Sequence, residues 1–252
     1  MYYQVDGHSG VNQYRRVLSR GCRCVELDVW DGDDGEPVIY HGIGVQLSSK
    51  ILFKDVLAAI NESAFVENDQ LVILSLENHA SASQQVRMAE LIRSMFHERL
   101  FREPLWQGDT VFPSLDQLRG RIIIQGEPPA GKSEDDGSDD EIPAGVEVSE
   151  SAQQIHENKK ASAGAICDAL ADCVSFYQAA PFRGFEQSSD KISFLNMSES
   201  SIGKWDREGG GVALVRFDTL KLSRIYPAWW RVLSTNYDPI THWMHGCQVL
   251  IN

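Results

Sequence analysis

The chain has 252 residues, 42% apolar and 23% charged, enough to bury a sizeable core without disulfides, and no apolar run reaches the roughly 18 residues of a membrane span. The opening residues show neither a basic nor an apolar signal region, and the five cysteines (Cys22, Cys24, Cys167, Cys173, Cys247) lack paired C-x-x-C spacing, so a signal peptide and a zinc site are not expected and a reducing compartment is. The net charge is −13, which disfavours nucleic acid as a partner; residues 127–150, with nine acids against Lys132, contribute −8 of it.

In chain order, Val11, Tyr14 and Leu18 share a helical face that Gly21 ends. From Arg23 to Trp30 the pattern alternates, with Val25, Leu27 and Val29 on one side and Cys24, Glu26, Asp28 and Trp30 on the other. Val38-Ile39-Tyr40 is a short apolar strand. Leu52, Phe53, Val56, Leu57 and Ile60 mark an amphipathic helix. Leu71 to Leu76 is an apolar strand ending at Glu77, and Val86, Ala89, Ile92 and Phe96 mark another helix. Ile122 to Ile124 is a further buried strand. The acidic stretch 127–150 reads as a flexible linker. Beyond it, 173–177, 212–216 and 247–251 read as strands, and 198–205 opens a helix. Apolar strands between helices predict a parallel sheet covered on both faces. Neither half has enough strands to close a core, which favours one α/β barrel interrupted by an insertion over two domains.

Glu26 and Asp28, two apart on one strand, project to the same side, and two adjacent anions call for a cation. Glu77 joins them if the two strands are parallel neighbours. Three carboxylates without a Cys or His partner suit a hard cation, calcium or magnesium; the same spacing also fits a solvated strand face. His41, just after a short strand, suits a general acid or base, or a satisfied structural histidine. Arg224 and Tyr226 place a guanidinium and an aromatic ring two residues apart, fit for phosphate contact and ring stacking. Trp229-Trp230, after Pro227 and before Arg231, suits a membrane interface or a core.

These residues carry a resemblance. The stretch from Arg20 to Gly32 (RGCRCVELDVWDG), with Glu36 to Gly42 (EPVIYHG), Ser49 to Phe53 (SKILF) and Leu74 to His79 (LSLENH), closely resembles the X region of eukaryotic phosphoinositide-specific phospholipase C. The Y region of that family is similar to 182–186 (FRGFE), Leu222 to Pro227 (LSRIYP), 234–239 (STNYDP) and Gly246 to Gln248 (GCQ).

The resemblance implies a TIM-type (β/α) barrel built from an X half (1–126) and a Y half (151–252), joined by the acidic X–Y linker at 127–150. It implies Ca2+ held by Glu26, Asp28 and Glu77, with His41 as a catalytic histidine and Glu26 or Glu77 as the base. Arg224 and Tyr226 would bind the headgroup, and Trp230 would lie on the membrane-touching rim. The implied partners are phosphoinositide lipids and a membrane surface. The implied location is cytoplasmic and peripherally membrane-associated. The family's Ser-His-Asn motif would fall before Met1, and His8 lacks its surroundings. The expected barrel is therefore incomplete at its first strand, and the expected chain is marginally stable with low turnover. Gln125-Gly126-Glu127 stands where the family has Lys-Gly-Lys, which predicts a weakened advantage for the bisphosphate headgroup. Function remains open between a calcium-dependent phosphoinositide phospholipase C and a non-catalytic relative that binds lipid or protein.

Overall fold

Alternating side chains decide the first half. In β1 (Cys24–Trp30) Val25, Leu27 and Val29 are buried, while the residues between them are half-buried. β4 (Val72–Asn78) runs parallel to β1, and β5 (Ile122–Gly126) parallel to β4. The short β6 (Phe176–Tyr177) adds in parallel to β5. At the other edge β2 (Val38–Ile39) pairs antiparallel with β1, and β3 (Ile51–Leu52) antiparallel with β2. The sheet order is thus β3-β2-β1-β4-β5-β6. The computed structural model describes residues 10–41, 49–103, 113–126, 166–177, 194–207, 209–219, 221–228, 230–231 and 236–250. The linker 127–150, His8, Glu127, Trp229 and the stretch 182–186 lie outside them.

One face of this sheet is covered by α1 (Val11–Ser19), α2 (Phe53–Ser63), α3 (Ala82–Phe96) and the single turn α4 (Asp168–Ala171). Leu18, Phe53, Leu57, Met88, Ile92 and Leu170 pack there against Leu27, Leu74 and Ile124. Arg23 ties the two first helices to the foot of β1: its guanidinium donates to the carbonyls of Leu18 at 2.7 Å and Ala64 at 2.6 Å. A cation at two helix C-termini satisfies orphan carbonyls and opposes the helix dipoles. Of the stripe expected on α3, Ala89, Ile92 and Phe96 are buried, while Val86 is exposed and Gln85 and Met88 turn inward in its place.

The turn after β1 is pinned to the start of α3. The Gln84 side chain brackets Gly32, accepting from its N–H at 3.1 Å and donating to its carbonyl at 2.7 Å. Asp31 accepts from the N–H and hydroxyl of Ser81 at 2.9 and 3.0 Å. Only glycine fits at position 32, because a Cβ there would lie 2.1 Å from the Glu36 carbonyl oxygen.

The second half supplies a three-stranded parallel sheet, β7 (Phe194–Ser198), β8 (Leu222–Tyr226) and β9 (Val249–Leu250), with β8 central. Its outer face packs on α5 (Glu199–Arg207) and α6 (Gly211–Asp218) through Met197, Ile202, Leu214, Phe217 and Ile225. A short α7 (Ile240–Met244) precedes β9. A small apolar cluster joins the inner faces of the two sheets: Ile73, Leu118, Ile123 and Val249, with Cys24 and Leu222 against it. The second face expected to be covered is therefore covered by the other sheet. Among the described residues no hydrogen-bonded ladder links the two sheets.

Three expected strands need correction, among them 247–251, of which only Val249–Leu250 is a strand among the described residues. Residues 212–216 are helical, in α6. The valines suggested a strand, but Leu214 and Phe217, three apart, are the buried pair, while Val212 and Val215 point outward. In 173–177 only the last two residues are a strand. The correction at α6 has a signed consequence. Val215 is 41% exposed on a helix, so Val215→Ala is expected to stabilise the chain by about 0.5 kcal/mol, the helix-propensity gain of Ala over a β-branched residue. Urea unfolding measures it; a loss of that size would restore the strand.

Candidate functional site

The inner faces carry the polar residues in rows set by strand register. Glu26 of β1 lies beside Ser75 of β4, which lies beside Gln125 of β5. One step toward the C-terminal strand ends, Asp28 lies beside Glu77. On the facing sheet Asn196 lies beside Arg224, and Ser198 beside Tyr226. The apolar cluster of Cys24, Ile73 and Ile123 lies one step deeper. Parallel strands align their C-terminal ends, so the carboxylates collect at one rim.

Glu26, Asp28 and Glu77 come together as expected, each offering one carboxylate oxygen, with these oxygens within 4.8 Å of one another. Such oxygens suit a hard divalent cation such as calcium. Cys24 lies on the same side of β1, and burial pushes its thiol up to about 12, against the opposing pull of Arg224. The Tyr14 hydroxyl, reaching in from α1, donates to the Glu26 carbonyl at 3.2 Å. Burial first, then Asp28 and Glu26, raise its pKa, so it remains a donor.

Arg224 links the two halves. One amino group of its guanidinium donates to Glu26 Oε1, and the other to Asn196 Oδ1 at 2.9 Å. Its side chain is 7% exposed and that of Glu26 32%. Burial works against its charge, but Glu26, then Cys24, Glu77 and Tyr226, more than offset that, and its pKa lies above the ordinary value. The Tyr226 ring lies 5.9 Å from the guanidinium carbon. Behind the pair, Ser75 Oγ and both amide atoms of Gln125 are buried with no hydrogen-bond partner among the described residues.

His41 is half-buried just past β2, one residue after Tyr40, whose N–H donates to the Asp28 carbonyl at 3.3 Å. Trp230 is half-buried, its ring 5.1 Å from the Arg231 guanidinium and its indole N–H buried. Arg231 binds both oxygens of Glu199 at the start of α5, through Nη2 at 2.8 Å to one of them, and fixes the chain beyond β8.

Sequence reasoning missed Asn196 and Ser75, whose only signal is strand register. It also passed over His79, whose Nε2 lies 3.0 Å from Glu77 Oε1. Two residues past a candidate ligand on the same strand face, it was readable in the Glu77-Asn78-His79 triplet.

Removing Arg224 should expose its structural share. Arg224→Ala leaves Glu26 facing Asp28 and Glu77 without a counter-ion. The expected destabilisation is near the lower end of ~3–5 kcal/mol, since Glu26 retains some solvent. Urea unfolding of Arg224→Ala and of Arg224→Ala with Glu26→Gln checks this. The double variant should recover part of the loss; a single-variant loss below about 1 kcal/mol would contradict it.

Residues 1–128 match the family model "Phosphatidylinositol-specific phospholipase C, X domain", and residues 170–251 the model of its Y domain. Among curated relatives, 1-phosphatidylinositol 4,5-bisphosphate phosphodiesterase delta-4 of Xenopus laevis is 39% identical, aligned over 98% of this chain and 34% of its own length. The delta-1 protein of Rattus norvegicus is 37% identical over the same shares. The chain thus spans about a third of the length of these relatives. The crystal structure of S. officinalis PLC21 superposes with a TM-score of 0.79 at 33% identity, covering 98% of this chain and 31% of that one. With both halves matched in order, and the carboxylate cluster and Arg224 each inside a matched region, this chain belongs to the phosphatidylinositol-specific phospholipase C family.

Proposed function

We propose that this chain is the catalytic core of a calcium-dependent phosphoinositide phospholipase C. The observation that carries the reading is the cluster of Glu26, Asp28 and Glu77 at one strand-end rim, with Arg224 beside it from the other half. In this reading the two sheets are arcs of one (β/α) barrel, with 1–126 and 151–252 as its halves and 127–150 as the linker. The pair of Glu26 and Arg224 and the likeness to a solved relative over 98% of the chain support it.

The reaction is cleavage of the phosphodiester of a phosphatidylinositol phosphate. The inositol 2-hydroxyl attacks phosphorus, diacylglycerol leaves, and water then opens the cyclic phosphate. Glu26, Asp28 and Glu77 would hold the calcium ion, which when bound supplies charge neutralisation at phosphorus and acidifies the hydroxyl. His41 donates a proton to the leaving alkoxide and then takes one from water. Glu26 or Glu77 accepts the hydroxyl proton. Arg224 faces a phosphate, Tyr226 stacks on the ring, and Trp230 lies at the membrane-facing rim. None of the described helices is long and apolar enough to cross a membrane, which suits attachment at the surface.

Calcium-dependent release of inositol phosphate from phosphoinositide micelles tests the activity, and calorimetry tests the site. Glu77→Gln is expected to weaken calcium binding by roughly 10-fold or more, and His41→Ala to lower turnover by roughly 100-fold or more while leaving calcium affinity in place. Unchanged calcium affinity in Glu77→Gln would overturn the metal assignment; release that chelator does not diminish would overturn calcium dependence.

The headgroup follows from charge. Arg224, its charge partly offset by Glu26, is left to meet one phosphate, and Gln125, inward-facing and buried, is neutral. In a site of low dielectric, an added ring phosphate without a matching cation is repelled by the carboxylates. Binding of phosphatidylinositol and its 4,5-bisphosphate is therefore expected to differ by less than about 100-fold, a difference of ~2.7 kcal/mol. Vesicle sedimentation with each lipid measures the ratio, and a larger preference for the bisphosphate would refute the charge argument.

A further inference from the structure

Glu77 is held by a neighbour that its own role does not require. His79, two residues on, shares its strand face, and its Nε2 lies 3.0 Å from Glu77 Oε1. An ionised carboxylate only accepts, so the imidazole nitrogen donates. The ring is 2% exposed and is stacked on Trp30 at 4.0 Å with planes 15° apart. Trp30 in turn stacks on Tyr40 at 5.1 Å and 26°, with the Lys50 ammonium 5.5 Å from the Tyr40 ring. The His79 N–H donates to the Val29 carbonyl at 2.8 Å, fixing the backbone beneath the ring. Trp30 is the last residue of β1, in front of the turn that Gln84 and Asp31 pin to α3. The rings therefore rest on a rigid base, and turning the imidazole away from Glu77 would break a stack as well as a hydrogen bond.

We propose that His79 is a positioning residue for the metal site: clamped by the Trp30–Tyr40 stack, its Nε2–H holds Glu77 Oε1 and fixes the orientation of that carboxylate beside Glu26 and Asp28. The inference rests on the reading of Glu77 as a ligand. It assigns to Trp30 and Tyr40 the work of keeping the imidazole in place. A carboxylate with both oxygens loose pays more entropy to bind and can chelate through both or swing out of the cluster. One held by a fixed donor is preorganised.

The test separates the hydrogen bond from the ring. His79→Phe keeps an aromatic ring on Trp30 and removes the donor; His79→Gln removes the ring and places an amide N–H near the same point. Calcium affinity is measured by calorimetry and stability by melting in chelator, on the whole chain, with Glu77→Gln alongside. His79→Phe is expected to weaken calcium binding by roughly 10- to 100-fold, and His79→Gln to stay within about threefold of the parent. Calcium affinity unchanged in His79→Phe but lost in Glu77→Gln would overturn the role of His79 and leave Glu77 as a ligand. Equal losses in Phe and Gln variants that follow their melting temperatures would reduce His79 to packing and overturn it as well. Unchanged affinity in Glu77→Gln would remove the ligand assignment and the positioning role together.

Discussion

The interior of this molecule is organised by one buried cation. Arg224 rises from the central strand of the smaller sheet, is almost fully removed from solvent, and meets Glu26 on the larger sheet. Burying a guanidinium alone would cost several kcal/mol, and so would burying the carboxylates that surround it. Placed together they make each other tolerable. Glu26, Cys24, Glu77 and Tyr226 all act to keep Arg224 charged, and Arg224 is the counter-ion that lets three carboxylates share one rim. Asn196, at its register position on β7, takes the second amino group and prevents the guanidinium from swinging. The contact crosses from residue 26 to residue 224, so it also joins two sheets that share no strand pairing among the described residues.

The other constraint is register. A strand side chain has period two, so a slip of one residue in the pairing of β4 on β1 would turn Glu77 into the helix-covered face and bring Leu76 to the rim. The apolar residues prevent that slip. Val25, Leu27 and Val29 on β1 and Val72, Leu74 and Leu76 on β4 all bury against the helices, and only the observed register serves both sets. The site is therefore held in place by the core behind it.

This explains which parts were legible in the chain. The alternation from Arg23 to Trp30 announces both a strand and a pair of same-side carboxylates, because period two is a local property. The apolar run ending at Glu77 places a third carboxylate at a strand end. The parallel strands β1, β4 and β5 follow from the same patterns, whereas the antiparallel edge of β2 and β3 does not. The helix at Gly211–Asp218 was hidden because valine favours strands, while the spacing that decided it, Leu214 to Phe217, spans only one turn. Asn196 and Ser75 could not be read at all. Their place in the site depends on which residue of a neighbouring strand lies opposite, and that is set by packing between distant segments. Nor did the chain show that Arg224 spends its charge inside the protein. A resemblance can mark it as a phosphate partner, but only the folded structure places Glu26 against it.

The two fixed donors have a joint consequence for any cation at the rim. Arg224 holds Glu26 through Oε1, and His79 holds Glu77 through Oε1. Each donor comes from a different part of the fold, and each fixes the orientation of its carboxylate. With Asp28, Glu26 and Glu77 bring carboxylate oxygens within 4.8 Å of one another. Calcium takes roughly six to eight oxygen ligands, so one oxygen from each would leave about half of the positions or more to groups other than these side chains. A site meant only to brace the fold closes its coordination with protein groups. A site that leaves most positions to water or to a substrate oxygen is arranged to exchange ligands, and exchange is what a phosphodiester and an attacking hydroxyl require. In the proposed reading the hydrogen bonds that orient Glu26 and Glu77 would hold these carboxylates ready for a cation, and the positions they do not fill would be open to substrate oxygens.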